Sequence, residues 1–142
     1  MEKLREIVAA ARIKPAIVQV ESHPYLPEWD LLQFCREHGI VLLAFAALGH
    51  ALEPRVLDDP AIKTIAQRLH RTPAQVALAW AVQRGTAFLT TSTKPSRIQE
   101  NFEISALSDD AMQEIRDRIT TNVRFNAVLE TGVLRFIPGK VR

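Results

Sequence analysis

Cysteine is nearly absent from this sequence, and long apolar runs are absent altogether. The single cysteine, Cys35, excludes an internal disulfide, and no Cys and His residues follow a zinc-ligand spacing. No apolar run approaches the ~20 residues that span a bilayer, and Met1–Arg5 lacks the apolar core of a signal peptide. We therefore expect a protein of a reducing compartment, with the cytoplasm as the default location and no membrane partner.

Runs of like charge are also missing. The 18 basic and 16 acidic residues are interspersed, and the formal net charge is only +2. This distribution argues against a nucleic-acid partner, which would call for a concentrated basic surface. With 47% hydrophobic and 24% charged residues, the composition is typical of one globular unit.

Hydrophobic spacing in the first third of the chain predicts helices alternating with strands. Leu4, Ile7, Val8 and Ala11 would form the buried stripe of a helix that stops near Pro15. A short β-branched strand is predicted over residues 17–21, and a helix over 29–38 with Gly39 as its C-terminal cap. The apolar run 40–46 is typical of a strand buried on both faces of a parallel sheet.

The rest of the chain continues this alternation. Asp59-Pro60 and the capping box of residues 72–75 each begin a helix, a strand is predicted over 87–91, and another helix begins at 94–97. Ser108 caps a last helix whose buried face carries Met112, Ile115 and Ile119. Trp29, Trp80 and Cys35 lie in helical stripes and are interpreted as packing residues. Residues 122–142 form a C-terminal tail without a readable pattern.

This order of elements indicates an α/β fold in which crossover helices make every strand pair parallel. Right-handed crossovers build either an open doubly wound sheet or a (β/α)8 barrel, and periodicity alone does not separate the two.

The segment after the third strand has the outline of an anion site. Ser92, Lys94, Ser96 and Arg97 cluster where a helix begins, and unpaired backbone N–H groups attract phosphate at such positions. From spacing alone, an ordinary capped helix with solvated basic residues is the favoured explanation of the cluster.

Four segments, in this order and spacing, resemble the C-terminal half of the aldo-keto reductase family. They are residues 14–26, 39–49, 72–78 and 92–101. The resemblance implies that residues 1–142 are the C-terminal part of a (β/α)8 TIM barrel, a partial barrel in which the three predicted strands correspond to strands six, seven and eight.

The same resemblance implies that the catalytic residues are missing. The family's catalytic tyrosine, aspartate, lysine and histidine lie on the first half of the barrel, and a complete barrel takes ~250 residues. His23 and Tyr25 belong to a different motif and are not assigned as acid or base. No catalytic residue is therefore expected in this chain.

What the resemblance does imply is part of a nicotinamide dinucleotide site. Ser92, Lys94 and Arg97 would approach the adenosine-side phosphate of NADPH, with Glu100 and Asn101 near the adenine amino group. Thr91 departs from the lysine that many NADPH-preferring members carry there, so NADPH is favoured while NADH stays open.

Four further positions correspond to the nicotinamide and pyrophosphate ends of that site. Phe45 would stack on the nicotinamide and Gln19 would hold its carboxamide, whereas the residues alone allow a core phenylalanine and a glutamine pointing to solvent. Leu48 and Gly49 belong to the loop that embraces the pyrophosphate. In that loop Ala46 and His50 replace serines that members usually carry.

Two functions follow from this reading. In the first, the chain is a portion of an NAD(P)H-dependent reductase that converts aldehydes or ketones to alcohols, inactive without the missing half. In the second, it is a non-catalytic nucleotide-binding or interaction module. Three strands taken from a barrel would leave unpaired sheet edges and an uncovered apolar face, which favour self-association and make the module harder to reconcile with the sequence.

Overall fold

The computed structural model describes residues 1–128 and 134–136. Within these ranges helices and strands alternate through the first hundred residues. The helices are α1 (Glu2–Ala10), α2 (Trp29–Glu37), α3 (Pro60–Arg68), α4 (Pro73–Gln83), α5 (Pro95–Phe102) and α6 (Asp109–Arg118). The strands are β1 (Ile17–Glu21), β2 (Val41–Phe45), β3 (Ala87–Phe88), β4 (Asn126–Val128) and β5 (Leu134–Phe136), and short 3₁₀ turns span Gly49–Ala51 and Val56–Asp58.

The first three strands form one parallel sheet in the order β1-β2-β3. Ile17 lies opposite Val41, Glu21 opposite Phe45, and Ala44 opposite Phe88. The backbone N–H of Leu89 donates to the carbonyl of Ala44 at 2.9 Å, so pairing continues past β3. The predicted α/β architecture with parallel strands is confirmed.

Helix boundaries follow the capping signals in the sequence. Asp59 accepts hydrogen bonds from the first amides of α3, with Pro60 in its first turn. Thr72 and Gln75 form the reciprocal capping box of α4, and the Ser108 side chain caps α6. These three helix starts were predicted from the sequence and are confirmed. They could be predicted because cap contacts are local.

The helices cover one face of the sheet. Leu42 and Ala44 of β2 point into this side and are each 1% exposed. Leu42 packs with α1 and α2, while Ala44 packs with Leu78 of α4. Cys35 and Trp80 are buried and Trp29 is partly buried in these layers, which agrees with their interpretation as packing residues.

The opposite face of the sheet is open among the described residues, and this overturns one prediction. Val41 is 48% exposed and Ile17 is 55% exposed, although the apolar run of β2 predicted burial on both faces. The described residues leave most of this side uncovered, but at its carboxyl end Glu21, which shares the face with Ile17, is 1% exposed beneath Phe125 and Asn126. Ile7, assigned to the buried stripe of α1, is likewise 52% exposed.

The tail contains structure that periodicity did not reveal. Strands β4 and β5 pair antiparallel, and Val123 and Phe125 just before them are 2% and 1% exposed. Residues 129–133 and 137–142 of the predicted tail lie outside the described residues. Among the described helices, none has the length and apolar character needed to cross a membrane.

Candidate functional site

A cavity of about 500 Å³ opens where the loops after β2 and β3 meet the starts of α4 and α5. Residues of the sequence-predicted dinucleotide site contribute much of its wall. Those that line it are Leu48, Ser92, Arg97, Glu100 and Asn101. Residues as far apart as Leu48 and Asn101 therefore meet in one concave surface.

The start of α5 gives this cavity a positive end. Pro95 occupies the first turn, and no side chain caps the helix. Ser92 Oγ instead accepts a hydrogen bond of 3.1 Å from the N–H of Lys94, which shapes the turn before the helix. The N–H of Arg97 donates to the carbonyl of Lys94 and Pro95 has no N–H, so the helix dipole and the charge of the Arg97 guanidinium are what favour an anion at this helix start.

Glu100 and Asn101 are fixed on the same helix by neighbours. The Thr72 hydroxyl donates to Glu100 Oε1, which links α5 to the capping box of α4. Asn101 Nδ2 donates to Thr90 Oγ1 at 3.4 Å. These contacts hold a carboxylate and an amide at the cavity wall, where they can recognise hydrogen-bond donors and acceptors of a heterocycle.

The cavity lining also includes charged residues that the sequence analysis did not identify. Asp58 Oδ1 lies 2.6 Å from Lys63 Nζ, and Asp58 Oδ2 lies 3.2 Å from Arg55 Nη1. The hydrogen bond from Lys63 and the nearby positive charges lower the pKa of Asp58. All three residues line the cavity. Only the fold places them around the same cavity as Arg97.

Four of the predicted residues lie outside the cavity lining. Lys94 is exposed at the turn before α5. Gln19 and Phe45 lie on the open sheet face, Gln19 exposed and Phe45 half-buried. Gly49 is buried behind the loop that carries Leu48, where its backbone packs against Val56 and Phe125.

The motif after β1 forms a buried polar cluster. Glu21 accepts hydrogen bonds from His23 Nε2 at 3.0 Å and from the N–H groups of Phe125 and Asn126 at 2.7 and 2.8 Å. Burial opposes ionisation, but these hydrogen bonds outweigh it and lower the pKa of Glu21 to about 2. Glu21 therefore remains a carboxylate that anchors the start of the tail, a role that the sequence pattern did not indicate.

Tyr25 in the same motif connects the segment after β1 to the start of α3. Its hydroxyl donates to Asp59 Oδ2 at 3.0 Å and lies 3.3 Å from the carbonyl oxygen of Arg55. Burial and the negative charge of Asp59 raise the pKa of Tyr25. The phenol is therefore a structural donor at the start of α3.

A buried guanidinium lies on the side of the molecule covered by helices. Arg84 is 4% exposed and lies between the rings of Trp29 and Trp80, at 4.2 and 4.4 Å from their centroids. Burial, and then the positive charge of Arg36, lower the pKa of Arg84 to about 9. Among the described residues, no group of three or more potential ligands could hold a metal ion.

Comparisons with known proteins show the family to which the chain is similar. The model of the Aldo/keto reductase family matches residues 1–119. Glycerol 2-dehydrogenase (NADP(+)) of Hypocrea jecorina is 41% identical over 118 residues, which are 80% of this chain and 37% of that protein. NADPH-dependent D-xylose reductase of Meyerozyma guilliermondii is 34% identical over 136 residues, 87% of this chain and 43% of that protein.

A solved structure extends the likeness to the fold. The aldose reductase from Schistosoma japonicum matches with a TM-score of 0.78 and 33% identity, over 87% of this chain and 40% of that chain. This chain thus spans about two fifths of the length of these relatives, and its parallel strands and intervening helices match part of their structure. The chain therefore belongs to the aldo/keto reductase family.

Proposed function

We propose that this chain supplies the dinucleotide-binding portion of an NAD(P)H-dependent aldo-keto reductase that reduces aldehydes or ketones to alcohols. The observation that carries the proposal is the meeting of Ser92, Arg97, Glu100 and Asn101 in one cavity of about 500 Å³. A volume of this order is typical of small-molecule and cofactor sites.

The residues of the cavity fit the adenosine end of a dinucleotide. Arg97 and the positive end of the α5 dipole would hold a phosphate, with Ser92 beside them. Glu100 and Asn101 would accept from and donate to the adenine ring, and Leu48 would contribute an apolar contact. Lys94, exposed at the same turn, would add positive charge near the phosphate without contacting the cavity wall.

The nicotinamide end would lie toward the open sheet face. Phe45, half-buried at the carboxyl end of β2, would stack against the ring, and Gln19 of the neighbouring strand would hold its carboxamide. Gly49 would let the pyrophosphate loop turn tightly. When bound, the cofactor supplies a hydride to the substrate carbonyl, and the residues of this chain bind and orient the dinucleotide.

NADPH is favoured over NADH because Arg97 and Lys94 provide positive charge for an additional phosphate. Thr91 lines the cavity in place of a lysine, which reduces that charge. The names of two relatives, which specify NADP(+) and NADPH, support the same preference.

We further propose that the three parallel strands are strands six to eight of the barrel. On this assignment the catalytic tyrosine, aspartate, lysine and histidine belong to a half that this chain does not supply. The 142-residue chain alone would show no reductase turnover, because the alkoxide formed by hydride transfer needs a positioned proton donor. Steady NADPH oxidation with an aldehyde substrate would contradict this.

A binding measurement tests the nucleotide site itself. Adenosine 2′,5′-bisphosphate is titrated into the 142-residue chain by calorimetry, with 5′-AMP as the comparison ligand. We expect tighter binding of the bisphosphate, and a loss of about tenfold or more in Arg97→Ala. Arg12→Ala is the control, since Arg12 is exposed between α1 and β1, away from the cavity lining. Equal losses of affinity in the two variants would contradict the proposal.

The second candidate function is a non-catalytic nucleotide-binding or interaction module. The observation in its favour is that the helix-covered side has well-buried clusters of its own, with Ile62, Ile65 and Val76 each 0% exposed. A monodisperse monomer that melts cooperatively and binds the bisphosphate would favour this module. An aggregating chain that becomes soluble only with the remaining barrel would favour the reductase portion.

A further inference from the structure

The segment Val123–Asn126, here called the strap, is attached to the loop after β1 by its own backbone. Val123 N–H donates to the carbonyl of Tyr25 at 3.0 Å. The next two contacts, from the N–H groups of Phe125 and Asn126, both end on the carboxylate of Glu21. Because the donors are main-chain groups, these bonds fix where the strap runs regardless of its side chains.

The strap packs against the loop that follows β2. This cavity loop, residues 46–58, includes both 3₁₀ turns and carries Leu48, His50, Arg55, Leu57 and Asp58 on the wall of the cavity. Phe125, 1% exposed, shares a buried cluster with Val56, Tyr25 and Val123. A Cβ built on Gly49 would lie 3.3 Å from Phe125 Cε2, so the ring lies directly against the loop backbone.

The cavity loop has little regular structure to hold itself in place. Two residues other than glycine, Ala46 and His50, have φ angles of 53° and 51°, a region that side chains disfavour. Strained backbone of this kind persists where surrounding contacts determine it. Contacts to this region from outside the loop include Phe125 against Gly49 and Val56, the hydroxyl of Tyr25 on Arg55 and Asp59, and Lys63 on Asp58.

We infer that the strap holds the cavity loop in the conformation that receives the dinucleotide, with Glu21 as its anchor and Phe125 as its contact. Glu21 and Phe125 are thus positioning residues that act on the adenosine cavity through the loop. The inference rests on the proposed nucleotide function, and it adds a dependence of that site on the C-terminal segment.

The test compares the variants Phe125→Ala and Glu21→Gln with Leu32→Ala in the full 142-residue chain. Leu32 is 2% exposed in the cluster under α1 and α2, so its truncation removes a comparable buried contact away from the loop. Two quantities are measured on each folded protein. They are the dissociation constant of adenosine 2′,5′-bisphosphate and the amide hydrogen exchange of peptides covering residues 46–58.

We expect Phe125→Ala and Glu21→Gln to weaken binding about fivefold to tenfold and to speed amide exchange across the cavity loop. Leu32→Ala should lower the melting temperature while changing neither the binding nor the loop exchange. Phe125→Leu keeps apolar bulk against Gly49 and should recover most of the affinity. It also provides the readout if Phe125→Ala fails to fold.

The results test the loop inference and the proposed function separately. Unchanged loop exchange in Phe125→Ala and Glu21→Gln overturns the inference. Faster exchange with unchanged affinity would show that the loop conformation does not determine nucleotide binding. If the wild-type chain does not bind the bisphosphate, the proposed function fails. The exchange data then still show whether the strap holds the loop.

Discussion

Gly49 and Gly39 share a left-handed backbone but differ in their surroundings. Their φ angles are 77° and 67°. A Cβ on Gly49 would lie 2.5 Å from Val56 Cγ2, whereas nothing lies within 4 Å of one on Gly39. Both positions impose the conformational cost of a side chain at positive φ, but only Gly49 adds a clash.

Alanine substitutions at these two glycines separate the two effects. We expect Gly39→Ala to reduce the free energy of unfolding by about 1 kcal/mol, the cost of the backbone conformation. Gly49→Ala should cost roughly 2 kcal/mol more, because packed atoms must shift. Urea unfolding measures both, and equal losses would show that the contact with Val56 relaxes at no cost.

The ionised Glu21 makes stability depend on pH. Its pKa falls from an ordinary 4.5 to about 2 in the folded protein, so its contribution is complete above about pH 5 and disappears as the pH falls toward 2. A shift of this size corresponds to about 3 kcal/mol. The stability difference between wild type and Glu21→Gln should therefore shrink on acidification.

Urea unfolding midpoints at a series of pH values test this dependence. Glu2→Gln, at an exposed position in α1, serves as the control and should follow the wild type at every pH. A stability difference for Glu21→Gln that is independent of pH would mean that the carboxylate is not the group that titrates.

At the scale of elements, the cap residue of α4 both begins its helix and contacts a neighbouring helix, whereas the cap residue of α6 only begins its helix. Thr72 Oγ1 accepts from the N–H of Gln75 at 3.1 Å and also donates to Glu100 of α5. Ser108 Oγ accepts from the N–H of Ala111 at 3.3 Å, and no contact from its hydroxyl to another described helix is found. The capping box thus joins helix initiation to the placement of Glu100.

Replacing each cap by alanine tests this difference. Both Thr72→Ala and Ser108→Ala should lose about 1 kcal/mol of stability, the usual value of an N-terminal cap. Thr72→Ala should in addition weaken binding of adenosine 2′,5′-bisphosphate, because Glu100 loses its partner. Calorimetric titration of both variants checks this, and equal affinities would remove Thr72 from the site.

At the scale of the whole molecule, the described residues leave most of one apolar side of the sheet uncovered. Ile17, Val41 and Leu89 are each close to half exposed, at 55%, 48% and 48%. Exposed apolar surface beside unpaired strand edges favours association. We expect the isolated chain to self-associate through this face.

Two valines with similar exposure provide the comparison. Val41→Lys places a charge on the open sheet face, and Val82→Lys places one on the surface of α4, where Val82 is 52% exposed. Sedimentation velocity should show less association for Val41→Lys and no change for Val82→Lys. If both variants lower association, net charge rather than the sheet face is responsible.

The sequence alone determined the succession of elements through α6 and the starts of three helices, although the third strand, predicted over 87–91, spans only Ala87–Phe88. Caps at Asp59, Thr72 and Ser108 are contacts within one turn, so local residue types suffice to predict them. Parallel pairing could also be predicted, because strands joined by a crossover helix run in the same direction. The segment 92–101 also named the residues that meet at the cavity beside Leu48, because its motif is contiguous.

Only the tertiary structure decided which surfaces are covered and which distant residues meet. The apolar run of β2 could not reveal that Val41 is exposed, because burial depends on neighbours rather than on the residue itself. Nor could the tail, which lacks periodicity, reveal that Phe125 would reach Glu21 and Gly49. Those contacts join residues 104 and 76 positions apart. Local sequence pattern carries no information on such pairs, because packing selects them.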